Sequence, residues 1–232
     1  MLKLMKLEIK KFKFGKTIKG VIIANLIILG FMIMISFATQ NDKDMTLSDY
    51  NHIFLFTGII VRATFSIFSA VLISKLIIGE YKNKTINILF TYPINRKKIM
   101  IAKLSIVLIF ALTTMIISNL FVNFSLFFIN IFAPFIKESL TMDILLKNLT
   151  SIVTSSIAFA FVSLIPVYVG MMKKSDSATL VTSIIIVSLL NSGNKGNNLG
   201  SIIIIPVILA LVGAITAYLA IKDVEKVDVE NF

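Results

Sequence analysis

The longest stretch without a charged residue runs from Leu104 to Ile136. As an α-helix its 33 positions would extend about 50 Å, whereas the hydrocarbon core of a bilayer is about 30 Å thick. Further long apolar runs precede and follow it, and 57% of the 232 residues are hydrophobic. A soluble domain distributes its apolar residues at core spacing rather than in blocks of this length. The sequence therefore predicts an all-α integral membrane protein.

The apolar runs predict six transmembrane helices. We place them at residues 18–38, 55–78, 104–133, 150–172, 176–192 and 200–221. The fifth run is barely long enough to cross a bilayer. The first follows a basic start, as a signal peptide does, but it exceeds the usual apolar region of about 7–15 residues, which predicts an uncleaved helix.

Lysine and arginine are distributed unequally between the two sides of this arrangement. The N-terminal tail, the 79–103 loop, the 173–177 turn and the C-terminal tail hold 17 basic residues, and the opposite loops hold 4. Basic loops remain in the cytoplasm, so both termini are expected inside. The net charge of +11 is concentrated beside apolar runs. That pattern is typical of topology signals and anionic-lipid contact rather than nucleic-acid binding.

The first 17 residues predict an amphipathic interfacial helix. Leu2, Met5, Ile9 and Phe12 recur at spacings of three and four and form one apolar face among the lysines. Such a helix lies in the headgroup layer with its apolar face toward the hydrocarbon. The alternative is a disordered basic tail that only sets topology.

A basic segment from Glu80 to Leu104 separates the second and third spans. It carries six basic residues and one acid. Residues 80–92 predict a short helix, and Pro93 ends it because proline lacks a backbone donor and crowds the preceding turn. A basic loop with its own helix is suited to bind a cytoplasmic partner.

The order of spans and this loop resemble the ABC-2 type transporter permeases. The resemblance is closest to the small bacterial permeases of bacitracin, lantibiotic and toxic-peptide export or immunity systems. In that family the loop opens with an acid and an aromatic residue or arginine, and Lys84-Thr85 stands where Gly-Thr is usual. The matching positions are Glu80-Tyr81, Thr85, Leu89, Pro93 and Arg96-Lys97-Lys98.

The resemblance implies one transmembrane domain over residues 1–232 in a bacterial plasma membrane. It further implies a second permease chain, identical or similar, and a separate ABC ATPase subunit that binds ATP and magnesium. Residues 80–92 would be the coupling helix that enters a groove of that subunit. The residues expected at this contact are Glu80, Tyr81, Thr85, Ile86, Leu89, Phe90 and Pro93.

No catalytic, cofactor-binding or metal-binding residue is expected on this chain. Gly15-Lys16-Thr17 looks like the end of a phosphate-binding loop, but Lys10 occupies the position of its first glycine and no strand precedes it. Cysteine is absent, which excludes disulfides and thiolate ligands. The single histidine, His52, falls in a predicted outer loop and is interpreted as a solvated polar residue.

Two groups of polar residues inside the spans are candidates for a substrate path. Arg62 lies in the second span, and Ser66 and Ser69 share its helical face. Either the arginine reaches the outer phosphates, or it contacts acidic groups of an exported ligand. In the third span, one stripe within about 40° is either helix-packing contact or cavity lining. Its members are Asn119, Asn123 and Asn130.

The leading functional hypothesis is the membrane subunit of an ATP-driven exporter. Amphipathic antimicrobial or cytolytic peptides are the first expected cargo, and lipids or hydrophobic drugs are the alternative. A second hypothesis is an integral membrane accessory or sensor subunit without transport of its own. A membrane-embedded enzyme ranks third, because no paired intramembrane acids or serine–lysine arrangement occur.

Overall fold

The computed structural model describes residues 2–12, 14–38, 49–82, 96–132, 140–191 and 204–223. These residues form helices and the short turns between them, with no strand in the described ranges. A π-helical turn at Ser74–Ile78 continues α3 into α4. The α-helices are α1 (Leu2–Phe12), α2 (Gly15–Ala38), α3 (Tyr50–Ile73), α4 (Gly79–Lys82), α5 (Arg96–Phe132), α6 (Met142–Val162), α7 (Ile165–Lys173), α8 (Asp176–Asn191) and α9 (Ile204–Asp223).

Five helical segments in the described ranges are long and apolar enough to cross a membrane. They are α2, α3 with its continuation to Lys82, α5, α6 with α7, and α9. The sixth candidate, α8, has 16 residues and extends only about 24 Å. It corresponds to the run that the sequence marks as barely long enough.

Three helices begin five to eight residues earlier than the apolar runs predict. They start at Tyr50, Arg96 and Met142, ahead of the predicted starts at residues 55, 104 and 150. A helix is held by its own backbone hydrogen bonds, so it continues through polar residues in the interface. An apolar pattern marks where a helix is in hydrocarbon but not where the helix ends.

The antiparallel helices α3 and α5 form the centre of the bundle. Near one end, Asn130 Nδ2 donates to the Tyr50 hydroxyl oxygen at 3.0 Å. Near the other end, Lys103 Nζ donates to the Leu76 carbonyl at 2.7 Å. The two contacts are 26 residues apart on one partner and 27 on the other, so the helices stay in register throughout. The α3 helix also packs against α6 and α8.

Two apolar clusters form the core. The first surrounds Phe65, Met115 and Phe159 and extends toward the Tyr50 end. The second lies at the opposite end, around Leu76 and Leu104. Apolar side chains also cover much of the outer surface, including Ile27, Ile117 and Leu211, each more than 55% exposed. Lipid is the solvent that accepts such a surface, because in water large exposed apolar patches promote association.

The α1 helix is shorter than the predicted interfacial helix, since it ends at Phe12 and α2 begins at Gly15. It packs against α5. Met5 and Phe12 are partly buried against the second apolar cluster, whereas Ile9 is 44% exposed. The predicted apolar face therefore packs partly against the rest of the protein and is partly exposed.

Two glycines permit close helix approach around the end of the fourth span. Pro166 follows the Ser163–Leu164 turn, and its missing backbone donor accounts for the break between α6 and α7. A Cβ at Gly213 would overlap the Phe161 carbonyl beside this break. A Cβ at Gly170 would overlap the Thr179 hydroxyl and lie 2.9 Å from Ile78 Cδ1. Both positions require a residue without a side chain.

Candidate functional site

One candidate site is an ion-pair cluster at the end of the bundle that includes α4. Glu80 forms a salt bridge with Lys103 and a second with Lys11 at 2.8 Å. Glu8 lies 3.7 Å from the Lys103 ammonium. These residues, Glu8, Lys11, Glu80 and Lys103, are named the Glu80 cluster. The cluster joins α1, α4 and α5.

The π-helical turn directly precedes this cluster. Such turns widen an α-helix by one residue and are frequent at functional sites. The Leu76 carbonyl lies within the turn and accepts the hydrogen bond from Lys103. The ammonium of Lys103 therefore contacts both the turn and the Glu80 carboxylate that follows it.

Burial makes these charges interdependent. Lys103 is only 3% exposed, and a buried ammonium is stable only when it is paired and hydrogen-bonded. Lys11 is more exposed. Burial alone would lower the pKa of Lys11, but the hydrogen bond and charge of Glu80, together with the charge of Glu8, raise it above its usual value. The cation on α1 is thus held in its charged form by α4.

A second polar contact fixes the start of α8 beside the π turn. Ser74 Oγ donates to Asp176 Oδ1 at 2.6 Å. Lys82 Nζ donates to Asp176 Oδ2 at 3.2 Å. The carboxylate of Asp176 therefore accepts one hydrogen bond from the first residue of the π turn and one from α4, which follows the turn.

The predicted coupling residues lie only partly within the described chain. Glu80 belongs to the cluster, and Tyr81 is 9% exposed and packs in the second apolar cluster. The described contacts of both residues are thus with their own chain. The other expected contact residues, Thr85, Ile86, Leu89, Phe90 and Pro93, lie outside the described residues.

A second candidate site is a polar cleft near the opposite end of α3. Its volume is about 250 Å³, and α3, α5 and α6 form its walls. We name it the Arg62 cleft. Its lining residues are Asn51, Phe54, Leu55, Gly58, Arg62, Asn119, Lys147, Asn148, Ser151, Ile152 and Ser155.

Arg62 is buried in this cleft, and the described part of the chain provides no counter-charge for it. It is 7% exposed, and its guanidinium carbon lies 5.0 Å from the centre of the Phe159 ring. The Nε atom has no hydrogen-bond partner among the described residues. Among the described residues, the cleft is lined by two basic residues, Arg62 and Lys147, and by no acid. Its charge is therefore positive.

The other predicted path residues lie in different environments. Asn119 lines the cleft beside Arg62, and its Oδ1 is buried without a partner in the described chain. Asn123 is buried in the bundle interior, outside the cleft lining. Asn130 contacts Tyr50 and joins two helices. The Ser69 hydroxyl donates to the Phe65 carbonyl of its own helix at 2.8 Å.

Ser66 lies in the bundle interior between α3 and α8. Its carbonyl accepts a 3.3 Å hydrogen bond from Ser183 on α8. Its hydroxyl is buried and has no partner within the described ranges. The structure thus brings Arg62 and Asn119 to one cleft and places the remaining candidates elsewhere in the bundle.

The sequence of this all-helical chain is similar to those of known proteins. A family model described as ABC-2 family transporter protein matches residues 4–191. The chain belongs to the ABC-2 family. The uncharacterized protein YcbO of Bacillus subtilis (strain 168) is 39% identical over 225 residues, which cover 97% of this chain and 99% of that protein. No solved structure matches the chain.

Membership of the ABC-2 family determines the general character of the chain. It is a multi-pass membrane protein, consistent with its five candidate spans. An ABC-2 domain is the membrane component of a transporter and is not itself catalytic. The family also implies that the chain works with an ABC ATPase subunit.

Two features of this ABC-2 chain were missed by sequence reasoning. Lys103 was assigned to the basic loop, yet it is buried among the helices. Its position directly before the charge-free run is the signal that could have indicated this burial. On α6, Lys147, Ser151 and Ser155 follow one another at spacings of four, which places them on one helical face. That polar face forms a wall of the Arg62 cleft.

Proposed function

We propose that the chain is the permease subunit of an ATP-driven ABC exporter in a bacterial plasma membrane. In this proposal a separate ATPase subunit binds ATP and magnesium, and a second permease chain completes the membrane domain. The observation that carries the proposal is the Glu80 cluster. It joins Glu80, the first residue of the segment that resembles a coupling helix, to Lys103 on the helix that follows that segment and to Lys11 on α1.

The cluster offers a mechanical path from an ATPase subunit to the membrane helices. Residues 83–95 connect α4 to α5 along the chain. A force on this segment would act on Glu80 and Lys103, and from there on α3 and α5. Because α3 and α5 are joined near both ends, they would move together as one unit.

We further propose six spans with both termini in the cytoplasm. The contacts of α8 support a crossing despite its length. Asp176 lies beside Ser74, and Ser183 bonds to Ser66 at 3.3 Å. Successive contacts therefore run along α8 and α3 in opposite directions, so α8 extends from the Glu80 end into the membrane interior.

Amphipathic antimicrobial or cytolytic peptides are the proposed cargo, with lipids or hydrophobic drugs as the alternative. Buried side-chain atoms without partners in the described chain support a polar route through the bundle, because an unpaired polar group in a bilayer is unfavourable. Four of the residues that carry such atoms are Ser66, Ser118, Asn123 and Ser156. A chain without transport of its own would have no need of such a route.

The ATPase contact is tested by purification from the native membrane. Leu89→Asp places a charge in the proposed coupling helix and is expected to abolish co-purification of the ATPase subunit. Met142→Gln is the matched control, since Met142 is 72% exposed at the opposite end of the bundle. Retention of the ATPase by the Leu89 variant at normal expression would contradict the assignment of residues 80–92.

The cargo is tested with the purified complex in proteoliposomes. Amphipathic peptides are expected to stimulate ATP hydrolysis and to be transported, because binding of cargo favours the conformation that the ATPase subunits drive. Stimulation by hydrophobic drugs or lipids alone would favour the alternative cargo. A complex that hydrolyses ATP without moving any of these compounds would support an accessory subunit.

A further inference from the structure

We propose that the Arg62 cleft is a binding site for the phosphate headgroup of an anionic phospholipid. The ligand would be a lipid of the leaflet at the Tyr50 end of the bundle, with its acyl chains on the apolar outer surface. The site would help to fix α3, α5 and α6 relative to one another. This inference goes beyond export and holds whether or not an ATPase is bound.

The first argument is the unbalanced charge. Arg62 is only 7% exposed, and the described chain provides no anion for it. Removing a cation from water is unfavourable unless an anion and hydrogen bonds replace the water. The Phe159 ring compensates only in part, since a cation–π contact is weaker than the hydration that the buried guanidinium has lost. An external anion would complete the site.

The second argument is the set of hydrogen-bonding groups. A phosphate offers several acceptor oxygens, and a guanidinium presents its donors in a planar fork that matches them. Lys147 is an exposed cation on another wall of the cleft. The neutral donors of Asn148 and Ser151 line the same wall, whereas the Ser155 hydroxyl donates to the Ile152 carbonyl. The described lining therefore supplies donors and positive charge, and no carboxylate that would repel an anion.

The third argument is the position of the guanidinium. An ideal Cβ at Gly58 would lie 3.8 Å from its carbon and from one terminal nitrogen, which is ordinary contact. The guanidinium thus lies beside Gly58, one helical turn closer to the Tyr50 end than Arg62 itself. Arginine side chains reach toward the interface in this way. The charge is therefore directed toward the leaflet at that end.

The fourth argument is the mixed character of the cleft. Leu55 lines it and is also 41% exposed on the apolar surface, so the polar interior continues into a lipid-facing wall. An amphiphile matches this combination, with its headgroup in the cleft and its chains along the wall. A cationic amphipathic peptide does not match it, because its charge has the same sign as Arg62 and Lys147.

The experiment uses the absence of tryptophan from the natural sequence. Leu55→Trp provides a fluorescent reporter on the cleft wall. Phe124→Trp is the matched control, because Phe124 is 64% exposed on α5 and lies at a similar depth by the α3–α5 register. Each protein is reconstituted in bilayers that contain either brominated phosphatidylglycerol or brominated phosphatidylcholine. Bromine quenches the emission of a nearby tryptophan.

Quenching of Leu55→Trp is expected to show a preference of at least about fivefold for phosphatidylglycerol over phosphatidylcholine, since one basic residue near a membrane surface contributes about 1 kcal/mol. The control reporter is expected to show no comparable preference. Adding Arg62→Gln is expected to remove most of the preference at the cleft. Lys147→Gln changes an exposed residue and is expected to reduce the preference without disturbing the fold.

Equal quenching by the two lipids at Leu55→Trp overturns the proposal, including the case in which the cleft is a peptide site. An anionic preference that survives both charge-removing substitutions also overturns it. Inorganic phosphate added to phosphatidylcholine bilayers serves as the probe for a soluble anion. If phosphate alone alters the emission of Leu55→Trp and abolishes the lipid preference, the ligand is a free anion and not a lipid.

Discussion

Lys103 shows how one side chain can connect three parts of the chain. Its ammonium contacts the Glu80 carboxylate and the Leu76 carbonyl, and it lies near Glu8 of α1. At 3% exposure it has little access to water. An uncompensated charge at this position is expensive, so each partner depends on the others.

We predict that Lys103→Met destabilises the protein by about 3–5 kcal/mol, because it leaves the Glu80 carboxylate largely buried with a weaker partner. The free energy of unfolding in detergent measures this loss. Lys98→Met, at an exposed position on the same helix, is the control and should change stability little. The double variant Lys103→Met with Glu80→Gln should be less destabilised than the two single effects predict, and strict additivity would contradict direct coupling.

Sequence reasoning identified Arg62 but not its surroundings. A lone arginine in an apolar run is readily recognised, because its insertion is costly. Its position beside Asn119 and the polar face of α6 depends on how three distant segments pack. Periodicity within each helix reveals a polar face, but it does not determine which faces meet. The cleft could therefore be identified only from the packed bundle.

At the scale of helices, the π turn is the junction between the long helix α3 and the polar contacts of the Glu80 cluster. Lys103 bonds to a carbonyl inside the turn, and Asp176 bonds to Ser74 at the start of the turn and to Lys82 beyond it. The side chain of Ile78, the last residue of the turn, packs beside Gly170 of α7. Four helices thus meet at one local irregularity.

We predict that Gly170→Ala destabilises the protein by about 1–3 kcal/mol, because the added Cβ overlaps the Thr179 hydroxyl and crowds Ile78. Thermal unfolding in detergent measures the effect. Gly30→Ala is the matched control, since no atom lies within 4 Å of its Cβ position. Combining Gly170→Ala with Thr179→Ala should restore part of the lost stability. Equal stability of the Gly170→Ala and Gly30→Ala variants would contradict the close packing at Gly170.

The glycine contacts and the π turn were not predictable from the sequence. Gly170 follows a proline-containing apolar run and carries no local signal of a helix crossing. The turn occurs in a sequence, Ser74 to Ile78, without proline or glycine. Its contacts with distant segments are a physical reason for its persistence, and such contacts become visible only in the folded chain.

At the scale of the whole molecule, composition predicted the class of structure well. Long apolar runs gave the helical membrane bundle, and five of the six predicted spans meet the length criterion. The loop residues that resemble a coupling segment indicated the ABC-2 family, and the match over residues 4–191 confirms that family. Peptide cargo remains a prediction, because cargo selection depends on a cavity that no short motif specifies.

We predict that single cysteines will place the two ends of the bundle on opposite sides of the membrane. The chain lacks native cysteine, so Met142→Cys and Lys98→Cys can each be labelled selectively. In intact cells an impermeant maleimide should react with the first variant and not with the second. Asn191→Cys should also react if α8 crosses. Labelling of Lys98→Cys from outside would overturn the orientation, and protection of Asn191→Cys would leave five spans.

The π turn at Ser74–Ile78 adds one residue to the helical turn that precedes Glu80. If the π turn converted to regular α-helix, its extra residue would join the α-helical pattern. Glu80 would then rotate by about 100° about the helix axis and advance by about 1.5 Å. Such a rotation would separate its carboxylate from Lys103 and release α1. A shift of a single residue in one turn would thus be enough to break the contacts of the Glu80 cluster.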